Sequence, residues 1–191
     1  METEATLIKK YISENDHVAL NALVDRHVDA IYNFTYSLVG NASDADDVTQ
    51  ETFVKIWKNL KKFNPEKSFK TWAFSIARNT AIDYLRKRRS IAFSALDSPD
   101  KDLYFADTIH DEEPLAEEIF EAKETKARIE KLMTDLPPHY RSVISLRYTE
   151  DMTFEEIAAV FDTSVNTIKS RYRRGLAILK KGLAPKSQDT T

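Results

Sequence analysis

A run of positive side chains near the carboxyl end is the part of the sequence best suited to bind a phosphate backbone. Residues 164–181 contain six Lys or Arg and no Asp or Glu. A helix with such a face can lie against DNA while its first turns contact base edges. By itself, a charge run is more simply explained as a solvated basic helix. The candidate contact residues are Asn166, Thr167, Lys169, Ser170, Arg171, Arg173 and Arg174.

Catalytic and metal-binding chemistry finds little support in the sequence. There is no Cys, no HExxH, no GxGxxG and no GxxxxGK. The acidic residues 111–113 are explained by the acidic segment around them. The histidines are scattered, with no pair at a spacing of four residues: His17, His27, His110 and His139. We therefore expect no catalytic residue, no metal site, no cofactor and no enzymatic activity.

The segment before the basic run predicts a helix-turn-helix. Thr153 and Glu156 have the spacing of a capping box, which predicts a short helix over residues 154–161. A three-residue turn follows, and Ser164 can cap a second helix that begins at Val165. Ala158 suits a close approach of the two helices, and Val165 with Ile168 would face the core. This context favours DNA binding over a merely solvated basic helix.

The rest of the chain also predicts helices. A short one surrounds residues 7–12, and apolar residues then recur at three- and four-residue steps over residues 16–39, ending at Gly40. Ser43 with Asp46 resembles a capping box for a helix through Leu60. Pro65 interrupts this pattern. Later boundaries are a cap at Ser68, a basic run at 86–89, a helix over about 114–133, and Leu136-Pro137-Pro138.

The charges divide the chain into parts. The net charge is −3, but residues 97–124 hold eleven acids and two lysines, so the remainder sums to +6. We predict an all-α fold of two small helical domains joined by an acidic linker. The predicted parts are residues 1–92, 93–124 and 125–184. No apolar run approaches the length that spans a bilayer, and the amino terminus lacks a signal-peptide pattern, so we expect a cytoplasmic protein without membrane insertion.

Three segments together resemble a bacterial RNA polymerase sigma factor of the sigma-70 family, of the short extracytoplasmic-function (ECF) type. They are Asp44–Trp57, Phe69–Arg86, and Leu136–Pro138 with the helix-turn-helix. The resemblance implies a sigma factor that directs promoter-specific initiation. It also implies that an acidic helix of the first domain binds the clamp helices of the polymerase largest subunit. The matching residues are Asp46, Asp47, Gln50, Glu51 and Val54. Acids at a helix amino terminus also simply complement its dipole.

The same resemblance implies that the following loop and helix recognise the promoter −10 element, capture a flipped base and assist melting. The matching positions are Phe63, Asn64, Trp72, Arg78, Asn79, Arg86, Arg88 and Arg89. Trp72 also has helical spacing from Phe69 and Ile76, which fits core packing. The loop has Asn64-Pro65-Glu66 where relatives often have glycine, which leaves its base preference open.

The second domain resembles the region that recognises the −35 element, with Lys169, Ser170, Arg173 and Arg174 as the foremost contacts. The resemblance implies further partners: the flap of the second-largest polymerase subunit, and an anti-sigma factor. The acidic linker would lie on the path to the RNA exit channel, and the relative placement of the domains stays open. The main alternative is a stand-alone repressor or activator with a dimerising or sensing first domain. Another is a protein that sequesters a regulator, against which the basic helix argues.

Overall fold

The structure, a computed structural model, describes residues 2–93 and 124–183, and the described part contains α-helices and no strand. The helices before residue 94 are α1 (Glu4–Glu14), α2 (His17–Val39), α3 (Ala42–Asn59) and α4 (Phe69–Phe93). Those after residue 123 are α5 (Glu124–Asp135), α6 (Pro138–Tyr148), α7 (Phe154–Phe161) and α8 (Val165–Leu183). This agrees with the predicted all-α class. The part of the predicted 114–133 helix before residue 124 lies outside the described residues.

The first four helices form one domain because each buries a regular apolar stripe. α2 packs against α1, α3 and α4, and α3 packs against α4. The predicted stripe of α3 is buried in full: Val48, Thr52, Ile56 and Leu60. Gly40 ends α2 with a φ of 84°, a left-handed conformation that glycine adopts without steric cost. The helix boundaries of this domain thus follow local sequence signals.

The start of α3 differs from the prediction. The side chain of Asn41, not Ser43, caps this helix, because its Oδ1 accepts a hydrogen bond from the amide of Asp44 at 2.9 Å. The capping box predicted for Ser43 and Asp46 is therefore wrong. Asn is as good an N-cap residue as Ser, and Asn41 follows Gly40 directly in an extended conformation. Ser43 consequently lies inside the first turn.

The helices after residue 123 form a second bundle around α8. This helix packs against α5, α6 and α7. Gly175 permits the close approach of α8 to α6, since a Cβ there would lie 2.6 Å from Cδ1 of Ile144. Ile157 and Ile168 are fully buried in this bundle. The second domain therefore has its own core.

The two bundles also pack against each other. α2 contacts α6, and α4 contacts α7. The ring of Phe34 lies 5.2 Å from that of Phe74 in its own domain and 6.2 Å from that of Phe161 in the other, both edge to face. Phe34 is 1% exposed. The buried residues thus continue from one domain into the other. Among the described residues, no helix is long and apolar enough to cross a membrane.

Candidate nucleic-acid and polymerase interfaces

The helix-turn-helix has the boundaries that the sequence predicts. The hydroxyl of Thr153 accepts from the amide of Glu156 at 3.1 Å, and the Glu156 carboxylate accepts from the amide of Thr153 at 2.8 Å. Asp162 ends α7 in a left-handed conformation. The hydroxyl of Ser164 then accepts from the amide of Thr167 at 3.0 Å and caps α8. These caps fix the angle at which α8 leaves the turn.

The basic helix α8 has a buried face and a face that reaches solvent. Ile168, Tyr172, Gly175 and Leu179 lie on the buried side. Of the predicted contact residues, Asn166 is exposed. Five others are partly exposed: Thr167, Lys169, Ser170, Arg173 and Arg174. These six side chains share the accessible surface next to the turn.

Arg171 is the exception among the predicted contacts. Its side chain is 3% exposed, so in this arrangement it does not lie on the DNA-facing surface of α8. It stands three residues after the buried Ile168 and four before the buried Gly175, which places it on the core side of the helix. The predicted DNA contact of Arg171 is therefore withdrawn. Helical spacing from Ile168 was a signal that could have shown this.

The loop before α4 holds an aromatic cluster. Phe63 is 8% exposed, and its ring centroid lies 4.9 Å from that of Trp72 and 5.6 Å from that of Phe69. The short 3₁₀ turn at Leu60–Lys62 directs the Phe63 ring inward. Phe63 is thus a core residue, and its predicted role as an exposed stacking surface is corrected. Trp72 is partly buried and packs against the core, as its alternative interpretation required.

The remaining loop position and cap are on the surface. Asn64 is exposed, and its Oδ1 accepts from the amide of Glu66 at 2.9 Å, which shapes the turn. The hydroxyl of Ser68 accepts from the amide of Thr71 at 3.2 Å, as predicted for the cap of α4. The loop therefore presents the Asn64 turn outside and the ring of Phe63 inside.

The predicted −10 residues of α4 lie in different surroundings. Asn79, Arg86 and Arg88 are exposed. Arg78 is partly buried, with its Nη1 donating to Oδ1 of Asn79 at 3.2 Å. Burial lowers the pKa of Arg78, and attraction to Asp162 of α7 opposes this. The side chain of Arg89 lies outside the described part of α4.

An ion pair that the sequence reading missed joins α3 to α4. Asp44 is 8% exposed and pairs with Arg88. Its other oxygen accepts from the hydroxyl of Tyr84 at 2.9 Å. A buried acid is stable only with such partners, so Asp44 positions the two helices instead of facing a macromolecule. The sequence signal was the apolar Ala45 and Val48 on the same face.

The five residues predicted for polymerase binding share one surface of α3. Asp46, Asp47, Gln50, Glu51 and Val54 are all exposed. The carboxylate of Glu51 forms an ion pair with Lys55 at 2.8 Å, one helical turn away. We call these five residues the α3 face. It joins a strip of negative charge to an apolar end at Val54.

A cavity of about 190 Å³ adjoins the α3 face. Val54 and Trp57 line it and are 43% and 49% exposed. The other lining residues are Leu20, Asn21, Leu23, Val24, Phe53, Ile56 and Phe69. The sequence reading did not predict this apolar hollow, because its walls come from three helices that are distant in sequence.

Comparison with known proteins identifies the class. The family described as "Sigma-70 region 2" matches residues 23–91, and "Sigma-70, region 4" matches residues 126–179. Both are parts of one class of protein, the sigma-70 initiation factors of RNA polymerase. The chain is 31% identical over 175 residues to "ECF RNA polymerase sigma factor SigW" of Bacillus subtilis, covering 91% of this chain and 94% of that one. The chain therefore belongs to the ECF group of the sigma-70 family.

Further comparisons agree with this assignment. "ECF RNA polymerase sigma factor SigE" of Mycolicibacterium smegmatis is 32% identical over 168 residues, which are 88% of this chain and 63% of that relative. The solved structure of CnrH, in complex with the cytosolic domain of CnrY, matches with a TM-score of 0.64 and 27% identity, over 94% and 96% of the two chains. The structure of RpoE with the anti-sigma factor NepR from Bartonella quintana shares the fold, with a TM-score of 0.65 and 24% identity, over 86% and 96%. Family membership gives the chain its general role, promoter-specific initiation of transcription with RNA polymerase.

Proposed function

We propose that this sigma factor binds core RNA polymerase through the α3 face and recognises the promoter with two separate helices. In this proposal α8 contacts the −35 element, while α4 and the Asn64 loop contact the −10 element and assist melting. One observation carries it: a helix-turn-helix whose second helix has an acid-free basic surface belongs to the same chain as the acidic α3 face. The first charge pattern suits DNA, and the second suits a protein.

For the −35 element, the proposed contacts are the six accessible residues at the start of α8. Arg173 offers a planar fork that matches the acceptors of guanine in the major groove, while Asn166 is suited to adenine. Lys169 supplies a mobile charge for phosphate, and its Nζ lies 5.9 Å from the ring centroid of Phe154. Arg171 is left out because it is buried.

For the −10 element, the proposed contacts are Asn64 in the loop and the positions on α4. Extruding a base costs a few kcal/mol of stacking, which a pocket with hydrogen-bonding groups offsets. Phe63 would support this pocket from below rather than stack on the base. The α4 contacts would be Trp72, Arg78, Asn79, Arg86, Arg88 and Arg89.

The α3 face would bind the clamp helices of the largest polymerase subunit, with the acids opposite basic partners and Val54 in apolar contact. The second domain would meet the flap of the second-largest subunit. Residues 1–92 and 125–184 would then act as separate domains on the polymerase, with residues 93–124 as an acidic linker toward the RNA exit channel. Sigma factors are regulatory initiation factors, and we propose that this chain acts without catalysing a reaction itself.

An anti-sigma factor is the further partner that we propose. CnrH, at 27% identity over 94% of this chain, was solved in complex with the cytosolic domain of CnrY. A partner on this chain would regulate initiation if it covered the α3 face. Competition between core polymerase and such a partner for the chain is the corresponding measurement.

The experiment is in vitro transcription with purified core polymerase on a template that carries the promoter region of the chain's own gene. We expect promoter-specific transcripts and co-migration of the chain with the polymerase. Arg173→Ala should weaken promoter binding of the holoenzyme by about 1–3 kcal/mol if Arg173 contacts a base. The matched control is Lys181→Ala, which removes one positive charge two helical turns further along α8.

The two variants separate base recognition from general attraction. The control should weaken binding to all sequences alike and reduce the salt dependence. Equal losses for both variants would remove the base contact of Arg173. If the chain yields no specific transcript and does not co-migrate with core polymerase, the proposed function is refuted.

A further inference from the structure

Three polar contacts hold the two domains together in the free chain, in addition to the aromatic contact of Phe34 with Phe161. The first is made by Arg141 of α6, which is 7% exposed. Its Nε donates to the carbonyl of Ser37 at 2.8 Å, and its Nη1 donates to the carbonyl of Thr134 at 2.9 Å. Both carbonyls lie in the last turns of helices, where partial negative charge accumulates. Arg141 therefore ties the end of α2 to the second domain.

The second contact is between Lys70 and Glu150. Lys70 lies in the first turn of α4, and Glu150 lies in the segment between α6 and α7. The Nζ of Lys70 is 3.0 Å from Oε2 of Glu150 and also donates to the Glu150 carbonyl at 2.5 Å. The side chain of Glu150 is 13% exposed, so the pair is better shielded from water than a surface ion pair.

The third contact is made by Arg78 and carries a cost. The guanidinium carbon of Arg78 lies 6.0 Å from the ring centroid of Phe161. Its Nε is buried and has no hydrogen-bond partner. A buried donor without a partner loses its hydration without replacement, which disfavours the closed arrangement. The same guanidinium would regain partners if it were released to water or to a phosphate.

We propose that these contacts form an intramolecular clasp that keeps the free factor closed, with α7 of the helix-turn-helix covering the Arg78 region of α4. The inference rests on the proposed function in one respect, the contact of this region with −10 DNA. A ligand that binds only the open state is weakened by the fraction of molecules that are open. The free chain thus has little affinity for single-stranded DNA, and binding to the polymerase selects the open state.

The charge pair gives a direct test, since Glu150→Lys places two cations where an ion pair stood. The matched control is Glu155→Lys, which makes the same charge change on an exposed residue of α7. Because the chain has no Cys, one dye pair at Lys58→Cys and Lys131→Cys reports the separation of the domains by energy transfer. The DNA probe is a short labelled single-stranded oligonucleotide of random sequence, without polymerase.

We expect Glu150→Lys to lower the energy transfer and to tighten oligonucleotide binding about tenfold, while the control changes neither. The charge swap Lys70→Glu with Glu150→Lys should restore the closed state, which separates an opened chain from a misfolded one. Unchanged energy transfer in Glu150→Lys would overturn the clasp. Lower energy transfer without tighter binding would overturn the covering of α4.

Failure of the proposed function would look different. It would appear in the unmodified chain as a lack of promoter-specific transcripts, whatever the domain separation. For the clasp, addition of core polymerase to the labelled chain is expected to lower the energy transfer. Unchanged transfer in a complex that co-migrates would contradict opening by the polymerase.

Discussion

Replacement of Arg141 by Met isolates the contribution of one buried cation to the junction of the two domains. Arg141→Met keeps an unbranched side chain of similar length, so that most of the apolar packing of its stem is retained. It removes the donors to the carbonyls of Ser37 and Thr134, at 2.8 and 2.9 Å. The perturbation is therefore mainly the loss of two charged hydrogen bonds between helix ends.

The expected magnitude follows from these two bonds. A hydrogen bond to a charged group contributes about 1.5–3 kcal/mol, so the gross loss is about 3–6 kcal/mol. Burial lowers the pKa of Arg141, which indicates a desolvation cost that the variant does not have. We therefore expect a net loss of about 2–4 kcal/mol in the free energy of unfolding. For a chain of this length, that corresponds to a fall in Tm of about 5–15 °C.

The assay is urea unfolding followed by circular dichroism, with a thermal melt as the second measurement. The matched control is Arg86→Met, because Arg86 is exposed and pairs only with Asp83 at 2.9 Å on the surface of α4. Such a pair contributes less than about 1 kcal/mol. A loss for Arg141→Met no larger than that of the control would refute the reasoning. The junction would then owe its stability to the aromatic contacts.

Two further predictions concern the core of each domain. The pKa of His27 is lowered from its ordinary value of 6.5, chiefly by burial and against the attraction of Glu4. The unfolded chain therefore binds the proton first, so this group stabilises the fold above pH 6.5 and its contribution is lost as the pH falls through the lowered pKa. His27→Gln should flatten the fall in Tm between about pH 7 and pH 5, and exposed His17→Gln should leave it unchanged; equal slopes in both would exclude His27 as the source. Gly175→Val should lower the free energy of unfolding by about 1–3 kcal/mol in urea, since a Cβ there would lie 2.6 Å from an isoleucine of α6. Val at the exposed Ala177 is the control, and an equal effect at both positions would show that helix propensity alone is responsible.

Local signals in the sequence predicted much of the secondary structure. The boundaries of the helix-turn-helix, the caps at Ser164 and Ser68, and the glycine stop at Gly40 are as predicted. Each depends on residues within one helical turn, so the sequence contains all the partners. The exposure of the α3 face also follows from the 3.6-residue period, because the opposite face of α3 carries the apolar stripe. The wrong cap at Ser43 arose where two good cap residues stood two positions apart.

Other features depend on residues that are distant along the chain, and only the tertiary structure decided them. Phe63 is covered because Phe69 and Trp72 pack on it, although its loop position alone predicted exposure. The residues that Arg141 joins to Ser37 are 104 positions apart, and the sequence reading left the placement of the two domains open. The sequence by itself determined helices, caps and charged faces, because these arise from short-range hydrogen bonds and helical periodicity. Which faces cover one another was decided by long-range packing, since burial depends on the complementary surface that another helix provides.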